Sequence, residues 1–60
     1  MSKRKAQEIV NLNTPKGATP PVCQRRRGMM GCEIYDSGQL LACGDSWEDA
    51  LDDLGLSIPR

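Results

Sequence analysis

The stretch Gly44–Leu56, G-D-S-W-E-D-A-L-D-D-L-G-L, constrains this chain more than any other. The start signal, apolar face and stop signal of one short helix agree within it. Ser46 stands at the N-cap position, where its hydroxyl accepts the backbone N–H of Asp49. Asp49 itself turns S-x-x-D into a shortened capping box. Asp45, Glu48 and Asp49 lie near the positive end of the helix dipole, which favours them. Trp47, Ala50, Leu51 and Leu54 fall at i, i+3, i+4 and i+7 and make one apolar stripe. Glu48, Asp49, Asp52 and Asp53 fall on the opposite side. Gly55 fits C′, where a residue without Cβ takes the left-handed conformation. Counting back, Leu51 becomes C3 and Leu56 becomes C″, and the two are expected to meet in a Schellman-type stop.

A helix this short needs something to cover. Upstream, Gly31–Asp45 reads as a hairpin turning at Ser37–Gly38. A two-residue loop pairs Asp36 with Gln39, Tyr35 with Leu40, Ile34 with Leu41 and Cys32 with Cys43. One face then carries Met30, Cys32, Ile34, Leu41 and Cys43 and is wholly apolar, which favours this register. The helix is expected to cover that face, because a lone hairpin is marginal. The expectation is therefore an α+β fold, a ββα mini-domain over residues 29–58, with two free strand edges. Its candidate core is Ile34, Leu40, Leu41, Trp47, Leu51, Leu54 and Leu56. With no Phe, one Trp and one Tyr in 60 residues, that core is thin. Order gained from a partner, a metal or self-association is expected.

The zero net charge hides a division. Residues 1–28 hold seven Lys/Arg and one Glu, a balance of +6; residues 29–60 hold one Arg and seven Asp/Glu, a balance of −6. The pattern predicts a disordered basic tail and Pro-rich linker over residues 1–28, joined to the acidic module. Ser2–Leu12 puts Ala6, Ile9 and Val10 on one side of a nascent helix, below the length at which isolated helices hold in water. Asn13–Val22, with three of the four prolines, reads as a linker. Arg25, Arg26 and Arg27 form the strongest positive cluster. Their guanidinium forks suit phosphate or carboxylate, or the acidic back of the helix. Lys3, Arg4 and Lys5 are candidates for nucleic-acid phosphates or an acidic protein surface.

Cys23, Cys32 and Cys43 sit nine and eleven residues apart, with no C-x-x-C pair and no His in the chain. That spacing is poor for zinc. A Cys32–Cys43 disulfide is awkward at a hydrogen-bonded pair. Small buried thiols are the leading expectation, with metal and disulfide left open. No His, phosphate loop or acid/base pair supports catalysis, so no enzyme and no cofactor are expected.

The run Gly44-Asp45-Ser46-Trp47-Glu48-Asp49-Ala50-Leu51, following a hairpin, resembles the strand-to-helix junction of HicB-type antitoxins. In that family a G-D-[ST]-x-E-E-A-L pattern occupies this place. The resemblance implies a toxin-binding module; the family's usual third strand before the hairpin and frequent DNA-binding segment after it have no recognisable counterpart here, and residues 1–28 put a basic, proline-containing tail in the strand's place. In size, charge division and thin core the chain also resembles, in kind, the very small bacteriophage proteins that take over host functions, RNA polymerase regulators among them.

These readings converge on a non-enzymatic regulator binding a host protein machine, with bacterial RNA polymerase as the leading candidate. The expected contacts are Glu48, Asp49, Asp52 and Asp53 against a basic surface. Arg25, Arg26, Arg27, Met29 and Met30 are expected to grip an extended peptide beside the first hairpin strand. Direct nucleic-acid binding through the basic half is the alternative, and an antitoxin-like module a third. No apolar run has signal-peptide or membrane-spanning character, so a cytoplasmic location is expected.

Overall fold

The computed structural model describes residues 1–26 and 31–56. In chain order it forms α1 (Lys3–Leu12), β1 (Val22–Arg25), β2 (Cys32–Asp36), β3 (Gln39–Gly44) and α2 (Trp47–Leu54). The strands make an antiparallel meander with β2 in the centre. Both helices lie against one face of it and share one core with it. The architecture is thus a small α+β fold that contains the ββα unit and extends it at the N-terminal side.

Helix α2 has the ends its local sequence specifies. The Ser46 hydroxyl accepts the Asp49 N–H at 3.2 Å. Gly55 has φ 86, in the left-handed region. Leu56 N–H donates to Leu51 C=O and Gly55 N–H to Asp52 C=O, both at 3.0 Å, which is the paired bond pattern of a Schellman stop.

Residues 1–26 depart from the disordered tail expected over residues 1–28, whose last two residues lie outside the described ones. Ser2 caps α1, its hydroxyl accepting the Lys5 N–H at 3.2 Å. At the other end Asn13 Nδ2 donates to Ile9 C=O and Thr14 Oγ1 to Val10 C=O, both at 2.8 Å. The limit on isolated helices does not apply, because Ala6, Ile9 and Val10 are buried in the common core. An amphipathic face with something to cover supplies what length cannot. The linker then delivers β1, which pairs Val22 with Tyr35, Cys23 with Ile34, Gln24 with Glu33 and Arg25 with Cys32.

The hairpin turn is as expected, with Tyr35 opposite Leu40 and Asp36 opposite Gln39. Ser37 and Gly38, at φ 52 and 82, both occupy the positive-φ region that a tight primed turn requires. Beyond Tyr35 the register slips. Ile34 faces Ala42, Glu33 faces Cys43 and Cys32 faces Gly44, leaving Leu41 as the extra residue of a bulge. The expected apolar face is corrected accordingly: Cys32, Ile34 and Ala42 are buried, while Leu40 and Leu41 lie outside the core. The cause is the approach of α2. A Cβ at Gly44 would stand 2.6 Å from Asp49 Cβ and 2.7 Å from Ala50 N. Only small side chains let the first turn of α2 lie on β3, and the bulge brings Ala42 and Gly44, rather than Leu41 and Cys43, under it.

Candidate binding surfaces

The acidic face of α2 is built by its own helical period. Glu48, Asp49, Asp52 and Asp53 ring the side away from Trp47, Ala50 and Leu51, with Asp45 just before the cap. The fold uses two of these acids. Glu48 Oε1 lies 3.3 Å from the N-terminal ammonium. Its own backbone N–H, and then that ammonium, hold the Glu48 carboxyl below the usual carboxylate range. Asp53 accepts the Cys43 N–H at 3.2 Å, capping one backbone donor on the outer edge of β3. Asp45, Asp49 and Asp52 are exposed and carry no ion pair among the described residues.

The basic residues are divided differently from the expectation. Arg25 lies over the Trp47 ring, its guanidinium carbon 5.9 Å from the centroid, a cation–π contact inside the fold. Arg26 Nε pairs with Glu33 at 3.7 Å. Arg27, Met29 and Met30 lie outside the described residues. Lys5 pairs with Glu8 at 3.8 Å, while Lys3 and Arg4 are exposed on the first turn of α1.

The edge proposed for strand addition, beside the first hairpin strand, is filled by β1 of the same chain. The outer edge of β1 is closed in turn by Gln7. Its side-chain oxygen accepts the Cys23 N–H at 2.8 Å, and its amide nitrogen donates to Pro21 C=O at 2.8 Å. One amide thus stands where a neighbouring strand's peptide group would stand. With Asp53 on β3, each outer edge has a helix side chain bonded to it, a common guard against edge pairing.

Among the described residues, no helix lies on the other face of the sheet. Val22, Tyr35 and Leu40 are direct cross-strand neighbours on it. Val22 and Leu40 are each 50% exposed, and Leu41 at the bulge 43%. A shallow groove of about 470 Å³ runs along this face, lined by Thr19, Pro20, Val22, Gln24, Tyr35 and Asp36. Sequence reasoning missed both Gln7 and this face. The run V-C-Q-R carries one inward apolar side chain, Cys23, and so gives no alternation that would have signalled them.

Cys23 and Cys32 are buried, and burial raises both thiols above their ordinary pKa. Cys43 is free and half-buried, and the register slip puts it on the opposite face from Cys32. No group of three His, Cys, Asp or Glu side chains among the described residues converges as metal ligands. The Trp47 indole N–H is buried and has no hydrogen-bond partner among the described residues. No helix among the described residues is long and apolar enough to cross a membrane.

Taken together, these features define a class: a three-stranded antiparallel meander backed on one face by two helices, each of which bonds one outer edge through a side chain. No protein-family model, curated protein or solved structure matches the chain.

Proposed function

We propose that this chain is a non-enzymatic regulator that acts by docking the acidic face of α2 on a basic surface of a larger protein. The observation that carries the reading is that Asp49 and Asp52 on α2, with Asp45 just before its cap, are exposed without an ion pair among the described residues. Like charges gathered on a rigid element steer association with an oppositely charged surface. Machines that hold nucleic acid carry such basic surfaces, so bacterial RNA polymerase is the first partner to test.

The experiment is capture from bacterial lysate by tagged protein, with and without nuclease, repeated with the triple change Asp45→Asn, Asp49→Asn and Asp52→Asn. The expected result is a discrete protein retained after nuclease and lost with the triple change, while Trp47 emission shows the variant still folded. Equal capture by the neutralised variant refutes the reading. The competing reading, nucleic-acid binding, draws on Lys3 and Arg4, exposed and without an ion pair among the described residues. It predicts capture that disappears with nuclease and affinity that falls steeply with salt.

A further inference from the structure

Helix α1 is attached differently from the rest of the fold. It lies beside β1 and α2 and beside neither β2 nor β3, whereas α2 lies against both strands of the hairpin. The unit made by β2, β3 and α2 is therefore complete without α1. Its ladder, its primed turn, both caps of α2 and the buried residues Ile34, Ala42, Trp47, Ala50 and Leu51 all fall within residues 32–56. We infer that α1 is a detachable cover on the edge of β1. It undocks and unravels as one unit, with Gln7 as its latch, while the hairpin and α2 stay folded.

Three observations carry this. The first is how few ties hold α1. Among the described residues they are the buried side chains Ala6, Ile9 and Val10, the two Gln7 bonds to the β1 edge and the N-terminal ammonium on Glu48. The other polar contacts of the segment are internal to it, including Lys5 with Glu8 and the Asn13 and Thr14 bonds to Ile9 and Val10. The linker is exposed over residues 15–19 and adds nothing to the core, so it tethers α1 without fixing it.

The second is the helix itself. Its 10 residues are too few to hold a helix in water without packing. The first turn carries Lys3, Arg4 and Lys5 and no acid, three cations set against the positive end of the helix dipole. Once α1 leaves the core, its caps alone do not keep it helical. Undocking and unravelling are then one all-or-none step rather than fraying from an end.

The third is the place of Gln7. From the middle of α1 its side chain accepts the Cys23 N–H and donates to Pro21 C=O, both at 2.8 Å. When α1 unravels, both edge groups lose their partner in the same step, while β1 keeps its ladder to β2 from Val22 to Arg25. Closed, the edge is guarded; opened, it is a free strand edge. Asp45, Asp49 and Asp52 belong to the part that stays folded, so this inference stands apart from the α2 reading.

The test is native-state hydrogen exchange of the full chain, followed amide by amide by NMR. The α1 amides and the Cys23 amide are expected to share one level of protection, below that of the β2–β3 ladder and of α2. Gly38→Ala strains the turn in the closed and opened states alike, because Gly38 has φ +82 and no contact with α1. It is expected to speed exchange in the β2–β3 ladder and α2 by about tenfold and to leave α1 and Cys23 unchanged. Gln7→Ala weakens the closed state alone and is expected to speed α1 and Cys23 together. If Gly38→Ala speeds α1 and Cys23 as much as the hairpin, α1 leaves only in global unfolding and the inference is overturned. A Gln7→Ala effect confined to Cys23 overturns it too, since Gln7 is then no latch.

Discussion

Replacing Gly44 with alanine tests the contact that sets the register of the fold. The added Cβ would lie 2.6 Å from Asp49 Cβ, 2.7 Å from Ala50 N and 2.8 Å from Asp49 C. Two of these are backbone atoms in the first turn of α2, so no rotamer change relieves them. Forcing a methyl group into a packed contact costs about 1–3 kcal/mol. Moving the first turn also disturbs the Ser46–Asp49 cap at 3.2 Å, adding about 1 kcal/mol. The sum, about 2–4 kcal/mol, is a large share of what 60 residues hold at about 0.05–0.15 kcal/mol each. Urea unfolding followed by the emission of Trp47, the single tryptophan, reads the loss directly. At a slope of about 1 kcal/mol per molar, the midpoint is expected to fall by about 2 M or more. Two other glycines calibrate the effect. At Gly31 a Cβ would meet nothing closer than 3.5 Å, so alanine there is expected to change stability by less than about 0.5 kcal/mol. At Gly38 nothing lies within 4 Å but φ is +82, so alanine costs about 1–2 kcal/mol through the backbone alone. A Gly44→Ala midpoint no lower than that of Gly31→Ala would refute the argument that close approach of α2 dictates the bulge.

Gln7→Ala removes the two bonds that close β1 and leaves the Cys23 N–H and Pro21 C=O unpaired; a loss of about 1–3 kcal/mol is expected, with faster hydrogen exchange at the Cys23 amide. Unchanged protection there would mean that the edge is closed by something else. With a thiol reagent under native conditions, Cys43 is expected to react first and Cys23 and Cys32 only on unfolding; simultaneous labelling of all three would contradict the core. Stability is expected to decline at both ends of the pH scale. Glu48 is held low by its own backbone N–H and then by the N-terminal ammonium, so its contribution is present above the ordinary glutamate range and lost as pH falls through and below it. Burial holds Cys23 and Cys32 high, so their contribution is present below the ordinary thiol range and lost as pH rises through and above it. Urea midpoints from about pH 3 to about pH 10.5 check both limbs, and a stability that keeps rising above the thiol range would contradict the second.

Helix α2 was legible because each of its signals is local. Ser46, the Trp47–Ala50–Leu51–Leu54 stripe and Gly55 all lie within one short window, and the observed caps follow them. The turn at Ser37–Gly38 was legible for the same reason. Helix α1 was half legible. Its buried residues, Ala6, Ile9 and Val10, are the three the period selects, yet an argument from isolated peptides assigns the segment to a tail. What decides its state is a tertiary fact, namely that β1 and α2 offer it a surface to cover within the common core. Strand β1 carries only one inward apolar side chain, Cys23, in a four-residue run, too little for a period to register. The hairpin register was misread because hydrophobicity alone puts Leu41 inward. Clearance beneath α2 puts Ala42 inward instead, and clearance is invisible until the helix is placed.

The same logic bears on the candidate sites. Charge counted along the sequence makes one basic tail and one acidic module, and it treats every charge as available to a partner. The fold takes its share first. Arg25 goes to Trp47, Arg26 to Glu33, Lys5 to Glu8, Glu48 to the N-terminal ammonium and Asp53 to the β3 edge. Among the described residues the charges left over are Lys3 and Arg4 at one end of α1, Lys16 in the linker, Asp36 at the turn, and Asp45, Asp49 and Asp52 around α2. The exposed ion pairs within the fold are each worth little and are screened by salt. Cation–π stacking on a buried indole and backbone capping by Asp53 depend less on ionic strength. Raising salt is therefore expected to leave the urea midpoint nearly constant while weakening whatever α2 binds. A midpoint that fell in step with binding would mean that the acids of α2 hold the fold together rather than facing a partner.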